Sequence, residues 1–158
     1  MAEKGEIWQR EIVRLLGGNQ PIFVAEVRKM NDHYDWQRRY IAVTPSRYYN
    51  VKQNWLGHWS IPRDFEIDYI QGIVLHKSTS DFLLKINPQV SGDYRYQGNC
   101  GAQLAETLQR LRHHLKMWVT DADIDDYRRM KKQQMAKLDI EAIVQAEYPS
   151  TQNSSQAL

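Results

Sequence analysis

The sequence predicts a mainly β domain of the α+β class, an antiparallel β-sandwich or barrel of about seven strands capped by an amphipathic helix. Three observations favour this fold. Short apolar runs recur between residues 21 and 98, separated by Gly, Pro, Asn and Asp, which form turns. A stripe of leucines with helical spacing follows them. The chain has 158 residues, 42% hydrophobic and 25% charged, which suits one globular domain with extensions.

Residues 1–19 are predicted to form a short helix and a linker. Within residues 6–16 the apolar side chains fall near one helical face: Ile7, Ile12, Leu15 and Leu16. Gly17 and Gly18 then end the helical pattern.

Residues 20–98 supply the predicted strands. These are residues 22–27, 40–44, 48–52, 59–61, 67–76, 82–86 and 94–96. Gly57 centres a predicted turn, and Gly72 interrupts the fifth strand, where an isolated glycine suggests a bend or bulge.

The closing helix is predicted over residues 99–118, with Asn99 as its N-cap. Its apolar stripe consists of Leu104, Leu108, Leu111, Leu115 and Trp118. Residues 20–118 would therefore form the domain. Residues 119–148 predict an additional charged helix that begins at a capping-box-like Thr120–Asp123, and the Ser/Gln/Asn-rich residues 149–158 predict a disordered tail.

Composition argues against several classes of function. The net charge of +2 gives no overall bias towards nucleic acid, so none is expected as a partner. A single cysteine, Cys100, excludes an internal disulfide and a cysteine-based zinc site. No apolar run approaches the ~20 residues that span a bilayer, and the polar N-terminus predicts a cytoplasmic protein. No residues show catalytic or metal-ligand spacing, so we expect neither an enzyme nor a cofactor.

Several local patterns carry a resemblance to a known family. A Trp, basic residues, an aromatic and an apolar run follow one another over residues 36–43, after a strand-like stretch over residues 23–29. Ile-Pro at residues 61–62 precedes an Ile-x-x-Ile-x-Gly-Ile stretch over residues 67–73. Together with the order of strands and helix, these patterns resemble the pleckstrin-homology (PH-like) superfamily. The closest pattern is that of the lipid-binding tail homology domain of class I myosins, although five extra residues lie between Pro62 and Asp68.

The resemblance implies a non-enzymatic module that binds phosphoinositide headgroups. The family pattern is Lys-x(n)-[Lys/Arg]-x-Arg, where cations converge on phosphates. Lys29 and Arg39 match its first and last positions, whereas Gln37 replaces the middle one. Residues 28–52 carry six basic and two acidic side chains, a local charge of +4. The predicted headgroup ligands, including peripheral charges, are Lys29, Arg38, Arg39, Arg47 and Lys52. A peripheral membrane location would follow.

The aromatic composition favours an alternative function. Five Trp and nine Tyr stand against three Phe, and amphipathic aromatics suit protein interfaces. Trp36, Trp55 and Trp59 are the candidate partner-binding residues. The chain would then be a protein-docking module of a cytoskeletal, trafficking or ciliary assembly, with no lipid binding. Both hypotheses stay open at this point, as do the headgroup, the protein partner and the oligomeric state.

Overall fold

The computed structural model describes residues 4–128 and residue 130, which contain two α-helices and one sheet of eight strands. In chain order the elements are α1 (Lys4–Leu15), β1 (Phe23–Met30), β2 (Trp36–Val43), β3 (Arg47–Gln53), β4 (Trp59–Glu66), β5 (Ile70–His76), β6 (Asp81–Ile86), β7 (Tyr94–Gln97), α2 (Gly101–Leu111) and β8 (Lys116–Thr120). The mainly β prediction, the N-terminal helix and the seven predicted strands are therefore confirmed.

The sheet has the strand order β4-β3-β2-β1-β7-β6-β5-β8, and all pairs are antiparallel except β5 with β8. The sheet bends so that its two halves face each other. This is shown by Ile41 of β2 and Leu84 of β6, which belong to the same buried cluster. Leu104 and Leu108 of α2 join the same cluster. This shared core arises because alternate side chains of each strand point to the same side.

Both halves of the sheet are also covered on their outer faces. Ile12 and Leu16, near the end of α1, pack with Tyr40, Tyr49 and Val51 of β2 and β3. On the other half, Val74 of β5, Leu83 of β6 and Trp118 of β8 form a buried cluster with Ile124, which follows the last strand. Thus, in the described part of the chain, both terminal extensions pack on the domain.

Two glycines behave as the sequence predicts. Gly57 has a positive φ of 86° in the β3–β4 turn, a conformation that glycine adopts without steric cost. The pairing of β5 with β6 shifts its register between Ile70 and Gly72, which is the predicted bulge.

The predicted helix over residues 99–118 is wrong in its second half. α2 begins at Gly101, with Cys100 rather than Asn99 at the N-cap position, and ends at Leu111. Residues 116–120 form β8, which pairs in parallel with β5. An edge strand exposes unpaired N–H and C=O groups, and β8 satisfies those of β5. Leucine and tryptophan spacing predicted burial correctly, since Leu115 and Trp118 are both buried, but not the backbone conformation.

The predicted charged helix over residues 119–148 is also wrong where the structure describes it. Thr120 ends β8, and the following residues form only a 3-10 turn at Ile124–Asp126. The Asp123 carboxylate caps this turn by accepting a hydrogen bond from the Asp125 backbone N–H at 3.0 Å. The rest of this prediction, and the predicted tail at residues 149–158, lie outside the described residues. No helix in the described part is long and apolar enough to cross a membrane.

Candidate anion-binding cleft

A cleft of about 960 Å³ opens where β1, β2, the β3–β4 pair, the β6–β7 loop and the segment after β8 meet. The basic side chains that line it are Lys29, Arg39, Arg63, Lys85 and Arg128. Among the described residues only Asp32 and Asp93 add negative charge to its lining, which leaves an excess of three positive charges. We call this feature the cationic cleft.

Lys29 lies at the end of β1, on the same face as the core residue Val27. Its ammonium nitrogen is 4.7 Å from the centre of the Tyr94 ring, a cation–π contact. Burial lowers the pKa of Lys29, and the charge of Arg39 lowers it further, followed by smaller effects of the other cleft arginines. Asp32 opposes these effects. An ammonium group held among like charges gains stabilisation when an anion binds beside it.

Arg39 is positioned by its own strand. Its Nη1 donates to the Arg38 carbonyl oxygen at 2.8 Å, and its Nη2 donates to Gln37 Oε1 at 2.8 Å. Gln37 pairs in register with Lys29, so it lies between the two cations of the family pattern. The residue that departs from that pattern therefore orients Arg39. Burial lowers the pKa of Arg39, but a guanidinium remains protonated at neutral pH.

Asn50 and Arg63 come from β3 and β4, where they are partners in register. Asn50 is 3% exposed and lines the cleft. Its amide oxygen has no hydrogen-bond partner among the described residues. Buried polar groups are normally paired, so this side chain has hydrogen-bonding capacity available for a ligand.

Arg128 reaches the cleft from the segment after β8. Its side chain is 15% exposed and forms long ion pairs, at 3.8 Å with Asp32 and at 3.9 Å with Asp125. Asp32 lies in the β1–β2 loop, where its side chain is 96% exposed. The C-terminal segment thus faces the first loop across the cleft.

The structure brings two of the five predicted headgroup ligands together in the cleft, Lys29 and Arg39. Arg38 points away and pairs with Glu26 at 3.2 Å. Arg47 donates two hydrogen bonds, of 3.0 and 2.8 Å, to the Asp64 carboxylate, which raises the pKa of Arg47. Lys52 follows Asn50 on the same face of β3 by alternation, but it is not among the described residues that line the cleft.

Three cleft residues were not predicted from sequence patterns: Asn50, Arg63 and Arg128. The predicted fourth strand ended at Ile61, whereas β4 continues to Glu66 and includes the extra residues before Asp68. Strict alternation from Trp59 would have placed Arg63 on the opposite face, because the pairing of β3 with β4 shifts its register between Asn50 and Lys52, and this shift brings Arg63 opposite Asn50. Arg128 belongs to a basic cluster that sequence patterning assigns to an exposed helix, so only its tertiary position reveals it.

The three candidate tryptophans lie in different environments. Trp59 is 4.9 Å from the Tyr40 ring and belongs to the cluster under α1. The Trp36 ring is 5.4 Å from the Arg95 guanidinium, which it partly covers. Trp55, at the tip of the β3–β4 turn, is 91% exposed. Trp55 is therefore the most accessible of the three.

Comparisons with known proteins identify similar structures only. No protein-family model matches the chain, and no curated protein matches it. The PH domain of Slm1 in complex with phosphoserine is 11% identical, with a TM-score of 0.47, over 59% of this chain and 96% of its own. The same domain with inositol-4-phosphate is 10% identical, with a TM-score of 0.44, over 61% and 98%.

The C-terminal domain of an unknown protein from Leishmania infantum is 16% identical, with a TM-score of 0.49, over 68% of this chain and 97% of its own. With each of these scores below 0.5, the likenesses establish neither a family nor a ligand for this chain.

Proposed function

We propose that the chain is a non-enzymatic, PH-like targeting module that binds phosphorylated headgroups of anionic membrane lipids in the cationic cleft. The observation that carries this proposal is the convergence of Lys29, Arg39, Arg63 and Arg128 from four separate parts of the chain. Arginine offers paired N–H donors that match phosphate oxygens, and lysine adds a compact charge. A phosphate would offset the mutual repulsion of these cations.

Asn50 supports a ligand that carries hydroxyl groups as well as phosphate. Its buried amide lines the cleft, and the amide oxygen can accept a hydrogen bond from a ring hydroxyl. Inositol phosphates combine both chemical groups. A bare inorganic anion would leave this acceptor unused.

The position of the β3–β4 turn supports a membrane rather than a free headgroup. Strands β1 to β4 form an antiparallel meander, so the β1–β2 and β3–β4 turns lie at the same end of the sheet. Asp32 of the first turn lines the cleft, and Trp55 and Leu56 of the second are exposed. Tryptophan favours the interface between water and lipid, so this tip would enter a membrane whose headgroups occupy the cleft.

Vesicle flotation with the full chain tests the proposal. We expect binding to phosphatidylcholine vesicles that contain a mixed phosphoinositide fraction, no binding to phosphatidylcholine alone, and weaker binding at higher salt. Lys29→Ala combined with Arg39→Ala should weaken binding by about tenfold or more, because each charge-assisted hydrogen bond contributes roughly 1.5–3 kcal/mol. Soluble inositol phosphate should compete with the vesicles.

The matched control combines Arg10→Ala with Arg110→Ala, which removes two positive charges from exposed helix positions outside the cleft. This control should bind as the original chain does. Thermal unfolding of both variants establishes that they are folded. Equal vesicle binding by the cleft variant and the original chain, or none by the original chain, would contradict the proposal.

A second candidate function is a protein-docking module of a cytoskeletal, trafficking or ciliary assembly. The observation that favours it is the 91% exposure of Trp55, a residue type that often dominates protein interfaces. In that case Trp55→Ala would abolish a stoichiometric complex with a purified partner, and the original chain would fail to bind phosphoinositide vesicles. Phosphoinositide-dependent flotation that requires Lys29 and Arg39 favours the first function.

A further inference from the structure

The segment after β8 is attached to the domain by buried contacts. Ile124 is 1% exposed and packs in the cluster that contains Val74, Leu83 and Trp118. The Thr120 hydroxyl and the Tyr127 hydroxyl lie 2.8 Å apart and form a hydrogen bond. These contacts fix the segment on the outer face of β5 and β6.

Lys85 binds the backbone on both sides of Arg128, at Tyr127 and Met130. Its buried ammonium donates to the backbone carbonyl oxygens of Tyr127 and Met130, each at 3.0 Å, and to the Asp93 carboxylate. The three N–H groups of this ammonium therefore have three partners. Asp93 belongs to the β6–β7 loop, which is another wall of the cleft. One buried lysine thus joins the C-terminal segment to that wall and holds Arg128 in place.

Among the described residues, Arg128 has no counterion within hydrogen-bonding distance. Asp125 is engaged by Arg95, whose guanidinium is 2.9 Å from its carboxylate. The other acidic neighbour in the described part of the chain is Asp32, whose carboxylate is 3.8 Å away on a largely exposed loop. Both ion pairs of Arg128 are longer than a hydrogen bond. A phosphate in the cleft could approach this guanidinium directly and form two parallel hydrogen bonds.

We propose that the segment after β8 is an integral wall of the anion site, that Arg128 binds the phosphorylated headgroup, and that Asp32 is an internal counterion which the phosphate replaces. This inference rests on the proposed function and assigns two residues to the same site. Arg128 adds a cation from the side of the cleft opposite the β1–β2 loop. Asp32 competes with the phosphate, because it attracts both Arg128 and Lys29.

Vesicle binding by charge-neutralised variants of the full chain tests both roles. Arg128→Gln should weaken binding to vesicles with mixed phosphoinositides by about tenfold, whereas Arg110→Gln, which removes an equal charge from α2, should change it less than about twofold. Arg128→Lys should retain part of the affinity, since it keeps the charge but loses the paired donors.

The Asp32→Asn variant should strengthen binding by about threefold, because it removes a competing anion. Its matched control, Asp35→Asn, lies in the same loop but is not among the described residues that line the cleft, and should have a smaller effect. Since both variants remove one negative charge, general attraction to the membrane would strengthen binding equally and would overturn the role of Asp32.

The outcomes separate this inference from the proposed function. If the Lys29/Arg39 double variant loses binding but Arg128→Gln does not, the segment is not part of the site and the proposed function stands. If the original chain binds no phosphoinositide vesicles, both proposals fail. Thermal unfolding of Arg128→Gln at the temperature of the original chain excludes loss of folding as the cause of weak binding.

Discussion

Replacing Gly72 with alanine should displace Trp118 from its position over β5. An added Cβ at residue 72 would lie 2.7 Å from Trp118 Cη2 and 2.8 Å from the Lys116 carbonyl oxygen. The first obstacle is a side chain that is only 5% exposed, and the second is backbone of the adjacent strand. Glycine is required here because β8 and its tryptophan approach β5 too closely for any side chain.

The expected cost follows from how far the indole must move. The indole Cζ3 would lie closer still to the added Cβ, and carbon atoms in contact are about 3.5–4.0 Å apart, so the ring has to shift by more than about 1 Å. Overpacking of this kind costs about 1–3 kcal/mol, and complete loss of a buried tryptophan costs about 3–5 kcal/mol. The Trp118 indole N–H has no hydrogen-bond partner among the described residues, so displacement sacrifices packing alone. We expect Gly72→Ala to lower the free energy of unfolding by about 2 kcal/mol.

Urea denaturation of the full chain measures this loss. Gly92→Ala is the matched control, because a Cβ there meets no atom within 4 Å and its φ is not positive. It should change stability by less than about 0.5 kcal/mol. In a Trp118→Leu background Gly72→Ala should cost less, since the smaller side chain leaves room. A Gly72→Ala variant as stable as the Gly92→Ala control would refute the close approach of β8 to β5.

Three further experiments test other parts of the structure. Lys85→Met should destabilise the chain by about 3–5 kcal/mol in urea denaturation, because it removes the ammonium group that neutralises the buried Asp93 carboxylate. Adding Asp93→Asn should recover part of the loss, and equal stability of the single and double variants would contradict this. Burial raises the pKa of Cys100 to about 11 from 9.0, so at pH 7.5 it should react with a maleimide about a hundredfold more slowly in the folded chain than in urea; equal rates would contradict its burial. Burial and neighbouring cations make the pKa of Lys29 lower in the folded chain than in the unfolded chain. Below the folded pKa the charged Lys29 therefore opposes folding. The free energy of unfolding rises as the pH increases from the folded pKa to the unfolded pKa. Lys29→Met should therefore unfold at no lower temperature than the original chain at pH 7 while binding vesicles more weakly; a lower unfolding temperature would show that the contact with Tyr94 outweighs repulsion.

Local sequence patterns were sufficient for the first seven strands and for two of the cleft's basic residues. Apolar runs between turn residues located seven strands. The family resemblance located Lys29 and Arg39, because the side-chain direction of each depends only on alternation along β1 and β2, which form one hairpin. The spacing from Leu104 to Trp118 predicted one long helix and was wrong after Leu111. Leucine and tryptophan are buried equally well by a helix or by a strand, so their spacing could not identify β8.

Sequence patterns alone predict the mainly β class, the positions of seven of the eight strands along the chain and the local excess of positive charge near β1 to β3. Which of these charges come together depends on the tertiary structure. Arg38 and Arg47 are neutralised by Glu26 and Asp64, whereas Arg63 and Arg128 join Lys29 in the cleft. The physical reason is that a headgroup site needs cations that converge in space. Convergence here depends on the register of β3 with β4 and on the buried contacts of Lys85, and neither is encoded in any short stretch of sequence.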